Sequence, residues 1–341
     1  MLLPLTVALG DAGHPVATRM RQLQLLTAAR QLAAGRDLQF LATALDDAGL
    51  PWALLKGPVL ADVVFSRPRS REFTDLDVLV APLQVDAAVR ALCEAGATLM
   101  EVDWDHVNAA RTAELGLTLP HGTVLDLHWS LVNLGRTRDA YRLSTRDLLD
   151  RRVTRTVAAS EVATLDDLDM VLHTALHACL SGGHQLRWLL DVQQCLRWID
   201  RTPQDLAVRA HHHGVTVAVR AVLDNVVTQL DPTCSPWADA LAPGTAWNAL
   251  LRRISRRSPP SAPSVSSRTA RSWYAATRPT TAASAHALAR TARLSLLHLR
   301  RPWPAGTPRA ASLDDAGYAR WVEVARQEAL HDEHRRPPQS R

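Results

Sequence analysis

Asp75 and Asp77, two residues apart in the run TDLDVLV, are the side chains of this 341-residue chain best placed to do chemistry. The apolar residues around them read as a strand, where side chains alternate faces. Both carboxylates therefore point one way, and Leu76 and Val78 the other. Paired hard oxygen donors of this kind suit a divalent cation such as Mg²⁺. The spacing alone is cheap, because Asp103/Asp105 and Asp167/Asp169 repeat it. What adds weight is a third acid, Asp126 in VLDLHW, again framed by apolar residues on a strand that shows Asp126 and His128 on one face. Upstream, a strand over Trp52–Leu55 stops at Lys56-Gly57-Pro58, where glycine frees the backbone to approach a ligand and proline forces the turn. Lys56 is the only lysine in the chain, and the other 38 basic residues are arginine. A compact ammonium can approach a phosphate as a point charge where a planar guanidinium would not fit. The loop that follows, with Arg67, Arg69 and Arg71, would balance the negative charge of an anionic ligand.

This order of a Lys-Gly turn, an Asp-x-Asp strand and a lone Asp strand resembles the polymerase β-like nucleotidyltransferase superfamily. It is most similar to a bacterial branch of uncharacterised nucleotidyltransferases with an LKG…DLDLLV…DLHW pattern, over about residues 20 to 200. Lys56, Gly57, Arg71, Asp75, Asp77, Asp126, His128 and Trp129 match that pattern. The turn departs from it. Where the superfamily usually has Gly-Ser or Gly-Gly, this chain has Gly57-Pro58, so the phosphate grip falls partly to Lys56 and the arginine loop. The resemblance implies an α/β (α+β) core with a short mixed sheet, followed by an α-helical domain. It also implies transfer of a nucleoside monophosphate from an NTP, ATP first, to an acceptor hydroxyl, with pyrophosphate leaving. Asp75, Asp77 and Asp126 would be catalytic and hold Mg²⁺, as two ions, while Lys56, Gly57, Arg71 and His128 would bind the nucleotide. His128 could equally orient a carboxylate, touch the acceptor or sit as a half-buried histidine.

Positioning these residues requires a framework. Helical spacing over 16–35 and 37–49, with Gly35 and Gly49 as stops, predicts two helices that deliver the chain to the first strand. VLADVVF reads as a short helix behind the site, 82–95 as a helix ended by Gly96, and ATLMEVD as a strand. LGLTL and TVLDLHW form a predicted hairpin that makes the Asp126 strand central. Beyond Leu134 helices are expected throughout, beginning with a helical hairpin around Ser181-Gly182-Gly183. Its two arms carry His173/His177 and Arg187/Asp191, each pair four residues apart, as an ordinary surface pattern or as cleft-lining groups. His106 and His121 read as surface residues, and His211–His213 point in different directions around a helix end. The expected divisions are a core with N-terminal helices over 1–135, a helical acceptor domain over 136–250, a flexible Arg/Ser/Pro-rich segment over 251–281, and C-terminal helices with a polar tail over 282–341.

Composition narrows the function classes. Net charge is +5, yet Arg252 through Arg309 contribute twelve arginines with no acid among them, so the remainder of the chain is net negative. Aromatic residues make up 5%, which gives base-specific RNA recognition little to stack on. Partners therefore rank as NTP plus a small-molecule or peptide acceptor first, a protein acceptor second and nucleic acid third. Cys93, Cys179, Cys195 and Cys234 show neither zinc-ligand nor disulfide spacing, which fits a reducing cytoplasm. The N-terminus has an apolar start without a basic flank, and Asp11 interrupts it, so neither a signal peptide nor a membrane span is expected. Two alternatives accompany the enzyme reading: a non-catalytic nucleotide-binding scaffold, and a toxin-like enzyme that modifies tRNA or protein.

Overall fold

The structure, a computed structural model, describes residues 15–66, 71–183, 185–241, 244–257, 264–300 and 310–334. Arg67, Arg69 and the tail beyond His334 lie outside the described residues. A long helix, α1 (Pro15–Asp47), leads into β1 (Trp52–Leu54). Two helices were expected here, but Gly35 sits inside one. A glycine within a helix costs only about 1 kcal/mol. The face it interrupts buries Ala34, Leu38, Leu41 and Leu45, which offsets that cost.

After β1 the chain makes the Lys56-Gly57 turn and a single wide helical turn at Leu60–Val64, then enters β2 (Asp75–Val80). Next come α2 (Val85–Ala95), β3 (Thr98–Leu99), α3 (Trp104–Ala110), and the hairpin of β4 (Glu114–Thr118) and β5 (Val124–His128). β6 (Val153–Val157) and β7 (Ser160–Thr164) complete a seven-stranded mixed sheet in the order β3-β4-β5-β2-β1-β7-β6. β2 runs antiparallel to β1 and parallel to β5, so the two acid-bearing strands are neighbours near the middle of the sheet. Leu76, Val78, Leu125 and Leu127 are fully buried on the opposite face, and this fixes the register that turns the acids outward.

The expectation that strands stop after Leu134 is corrected by β6 and β7. This hairpin turns at Ala158-Ala159, both with positive φ, 49° and 62°. Such turns are usually written with Asn or Gly, so two alanines gave no turn signal. The amide of Ala158 donates to Asp62 at 2.8 Å, which helps hold the turn. Through a parallel pairing of Leu54 with Thr164 the sheet continues past residue 135.

Helices then follow: α4 (Asp167–Leu180), α5 (Leu186–Trp198), α6 (Pro203–His212), α7 (Thr216–Gln229), α8 (Ala246–Ser255), α9 (Ser264–Ala275), α10 (Thr281–Arg300) and α11 (Ala316–His334). The described residues of the segment expected to be flexible include the end of α8 and all of α9. Composition hid its anchor, Tyr274, which is fully buried and hydrogen-bonded through its hydroxyl to Ser255 at 2.6 Å and Asn225 at 2.7 Å. α11 returns to the core, where the Trp321 indole donates to the Thr112 carbonyl at 2.8 Å and Glu328 accepts from Arg111 and Arg138. Among the described residues no helix is long and apolar enough to cross a membrane.

α4 is held in place by Asp169, whose side chain is fully buried between Arg209 at 2.7 Å and Arg151 at 2.9 Å. Burial alone would raise its pKa, but the hydrogen bond from His213 and the charges of Arg151 and Arg209 bring it below the ordinary value. A depressed carboxylate stabilises the fold above its unfolded pKa, and that contribution disappears as pH falls through the folded one. Asp169→Asn is therefore expected to cost about 2 kcal/mol at neutral pH, since solvent still reaches both guanidinium groups. The difference from wild type should shrink below about pH 4, read by urea unfolding at stepped pH.

Candidate active site

The Lys56-Gly57 turn is shaped by Gly57, at φ +50°, where an added Cβ would lie 3.3 Å from the Asp75 carbonyl oxygen. That left-handed backbone swings Lys56 toward the sheet face carrying the acids. Its Nζ lies 2.5 Å from Asp77 Oδ1. On the same oxygen, at 3.1 Å, sits Nε2 of His128. Asp77 pairs in register with Asp126 across β2 and β5. Asp77, Asp126 and His128 each present a ligand atom within 4.8 Å of the others. Asp75 is half-buried at the start of β2 and lines the same cavity.

Burial by itself would push the Asp77 carboxyl up, but the hydrogen bond from His128 and the charge of Lys56 carry it well below the usual range. Burial disfavours a charged His128, yet its bond to Asp77 and the charges of Asp77 and Glu114 prevail and raise its pKa. Asp126 is driven the other way, up to about 6, by burial and by the nearby charges of Glu114 and Asp77. The folded chain therefore binds this proton more tightly than the unfolded chain does. Stability present below the unfolded carboxylate pKa is lost as pH rises through about 6.

These observations fit a divalent cation. Among the described residues the buried Asp77 Oδ2 has no hydrogen-bond partner, and the charges of Glu114, Asp77 and Asp75 repel the Asp126 carboxylate against the opposing charge of His128. A cation held by Asp77 and Asp126, with Asp75 beside them, would satisfy the orphaned oxygen and relieve that repulsion.

The acids form part of a cavity of about 1250 Å³. Lys56, Asp75, Asp77, Asp126 and His128 all line it. Arg71 does not. Its Nε and Nη2 are held by the two oxygens of Asp191 at 2.9 and 3.0 Å, and its Nη1 reaches the Gly57 carbonyl at 3.3 Å. Arg71 thus braces the turn against α5. His173, His177 and Arg187 line the cavity, whereas Asp191 is spent on Arg71 and not on Arg187 four residues away. Among the described residues both ring nitrogens of His173 lack a partner. Burial, reinforced by the charge of Lys56, holds both rings neutral, with His177 down to about 3. His106 is exposed and lines the cavity, while His121 pairs with Asp37 at 2.9 Å, away from it.

Glu114 was missed by sequence reasoning. It lies on β4 directly opposite His128, lines the cavity, and its carboxylate stands 3.6 Å from His128 Nδ1. The signal was available in the alternation of ELGLT, which turns Glu114 and Gly116 to the face shared by Asp126.

Among solved structures, the chain resembles the antibiotic-resistance factor ANT(2'')-Ia at 12% identity, covering 48% of this chain and 83% of that one, with a TM-score of 0.32. It resembles the lincosamide antibiotic adenylyltransferase LnuA, in its lincomycin-bound crystal structure, at 14% identity over 48% of this chain and 97% of that one, with a TM-score of 0.33. An antigenic nucleotidyltransferase-like protein from Paracoccidioides brasiliensis aligns at 15% identity over 63% of this chain and 93% of its own, with a TM-score of 0.37. No protein of curated function matches. Residues 7–230, which include every acid and base of the cluster, match the family described as uncharacterised nucleotidyltransferase, and the chain belongs to that family.

Proposed function

We propose that this nucleotidyltransferase moves a nucleoside monophosphate from an NTP, ATP first, to a hydroxyl of a small-molecule or peptide acceptor, with Mg²⁺. The observation that carries the reading is the register pairing of Asp77 with Asp126, which crowds two carboxylates and an orphaned oxygen at the wall of a large cavity. The acceptor oxygen forms a bond to the α-phosphorus, the α–β phosphate bond breaks, pyrophosphate leaves and the hydroxyl proton passes to solvent. Mg²⁺, as two ions, would neutralise the triphosphate and lower the pKa of the acceptor hydroxyl.

In this reading Asp75, Asp77 and Asp126 hold the cations, and His128 fixes the orientation of Asp77 by hydrogen-bonding its Oδ1. Lys56 shares that oxygen and stands at the turn, from which its ammonium would neutralise the β- and γ-phosphates. Gly57 keeps the backbone of the turn close to those phosphates, and Arg71 acts through the turn by tying Gly57 to Asp191. The neutral rings of His173 and His177 offer hydrogen bonds without adding charge.

Thermal stability with each of the four NTPs, with and without Mg²⁺, tests the reading. A Mg²⁺-dependent rise in midpoint, largest with ATP, is expected. It should strengthen as pH rises through about 6, because Asp126 must lose its proton to serve a cation. Glu114→Gln removes a charge that raises Asp126 and should move that dependence to lower pH. A shift unchanged by chelation, or no shift with any nucleotide, would reject it.

A further inference from the structure

Beyond the acid cluster, the cavity has a second wall of different character. It is built by α9, the turn after it and α10, which bring Arg271, Ala275, Ala276, Arg278, Ala287 and Arg290 to the lining. These helices lie outside residues 7–230, the part that matches the family. Arg278 is structural: it is buried and donates to the carbonyls of Ala275 at 2.9 Å and Thr277 at 2.7 Å and to the Thr137 hydroxyl at 3.1 Å.

Arg271 and Arg290 are different. Both are exposed, and among the described residues neither makes an ion pair. The chain offers them no local carboxylate, because it has no acid between Asp239 and Asp314. From α5 comes a third such cation, Arg187, whose guanidinium stacks on the Trp188 ring at 3.7 Å and keeps its donors free of carboxylates among the described residues. The lining also offers apolar surface, with Ala109, Ala110, Leu131 and Leu134, beside the polar Asn133 and Thr137 and the charged Asp103 and Arg136.

We propose that the α9–α10 wall is the acceptor subsite, and that it takes an anionic group, carboxylate or phosphate, carried on an apolar body. The inference rests on the nucleotidyl-transfer reading of the acid cluster. Two observations assign the wall to the acceptor and not to the donor. The arginines come from helices outside residues 7–230, whereas Lys56, Asp75, Asp77, Asp126 and His128 all come from within them, so the two walls are built by different parts of the chain. The volume of about 1250 Å³ also exceeds the usual range for one ligand, roughly 300–1000 Å³, which leaves room for a nucleotide and a second molecule. An acceptor with its anion on Arg271 and Arg290 is repelled by the carboxylates of the cluster, which orients it with its uncharged hydroxyl toward the transfer site. The buried, unpartnered His173 supplies a neutral polar contact for such a hydroxyl.

Three probes of similar size test this by calorimetry on the full chain: 3-phenylpropionate, phenyl phosphate and 3-phenylpropanol. Each is titrated with and without saturating Mg²⁺·ATP, into wild type and into the double variant Arg271→Glu, Arg290→Glu. At least one anion should bind about tenfold or more tightly than the alcohol, and the stronger of the two names the acceptor's charged group. Charge reversal should erase that preference while leaving Mg²⁺·ATP binding within about twofold. Equal binding of anions and alcohol, or no binding of any probe at millimolar concentration, overturns the proposal. So does competition between the anions and Mg²⁺·ATP, or loss of ATP binding on charge reversal, either of which would give the arginines to the nucleotide. Absence of Mg²⁺·ATP binding in wild type, with the anion preference intact, would instead reject the transfer reading and leave an anion site.

Discussion

Asp75→Asn is expected to lower nucleotidyl transfer at least about a thousandfold while leaving the unfolding midpoint within about 1 °C of wild type. Asp75 is half-buried and lines the cavity, and among the described residues its side chain makes no hydrogen bond or ion pair. An asparagine keeps the shape and strands no partner. What it removes is one negative donor toward the cations, and charge stabilisation lost at a transferring phosphoryl group is worth several kcal/mol in the barrier. Label carried from α-labelled ATP into the small-molecule fraction of a cell extract measures the transfer. Retention of more than a tenth of the wild-type rate would remove Asp75 from the site.

Asp77→Asn makes the informative contrast. The same loss of transfer is expected, but the fold should suffer too, because Asp77 is also the partner of Lys56 and His128. Leaving a mostly buried ammonium without its counter-charge should cost about 2 kcal/mol, a midpoint drop of about 3 °C. The two aspartates look equivalent in sequence. In the structure the Asp75 side chain has no partner among the described residues, and Asp77 is the hub of an ion-paired cluster.

That contrast shows where sequence reading succeeds and where it stops. β2 and β5 were legible because each acid is framed by apolar neighbours at a period of two, so burial of Leu76, Val78, Leu125 and Leu127 dictates which face the acids take. The hairpin of β4 and β5 was legible from Pro120-His121-Gly122 between two apolar runs. β6 and β7 were not, because two alanines hold the positive φ values that glycine or asparagine normally announces. Charge pairing failed for a different reason. Local spacing couples Arg187 with Asp191, but Asp191 meets Arg71 from 120 positions away, a choice made by packing of α5 on the turn. The helix in the arginine-rich segment was hidden because its buried anchors, Tyr274 first and with it Ala270 and Thr277, are scattered among small and charged residues, and composition averages over them.

That anchor sets the second large effect, in Gly183→Ala. Gly183 adopts φ +70° in the turn after α4, and a Cβ there would overlap Cδ1 and Cε1 of Tyr274. The ring has nowhere to go. It is fully buried, and its hydroxyl is fixed by Ser255 and by Asn225, whose amide also donates to the Gly183 carbonyl at 2.6 Å. Overlap this deep, added to a left-handed backbone that an alanine resists, should cost at least about 3 kcal/mol in urea unfolding. Relief must come from a shift of α9, which carries Arg271, so binding of the anionic probes should weaken even in the protein that remains folded. Tyr274→Leu in the Gly183→Ala background should return about 1 kcal/mol or more, because it shrinks the side chain that the new methyl strikes. An additive double variant, or a Gly183→Ala protein within about 1 kcal/mol of wild type, would mean that α9 is not docked on this turn. The α9–α10 wall would then lose its structural footing. A coupled pair would tie the cavity's arginine wall, through one glycine and one tyrosine, to the helix that carries His173 and His177.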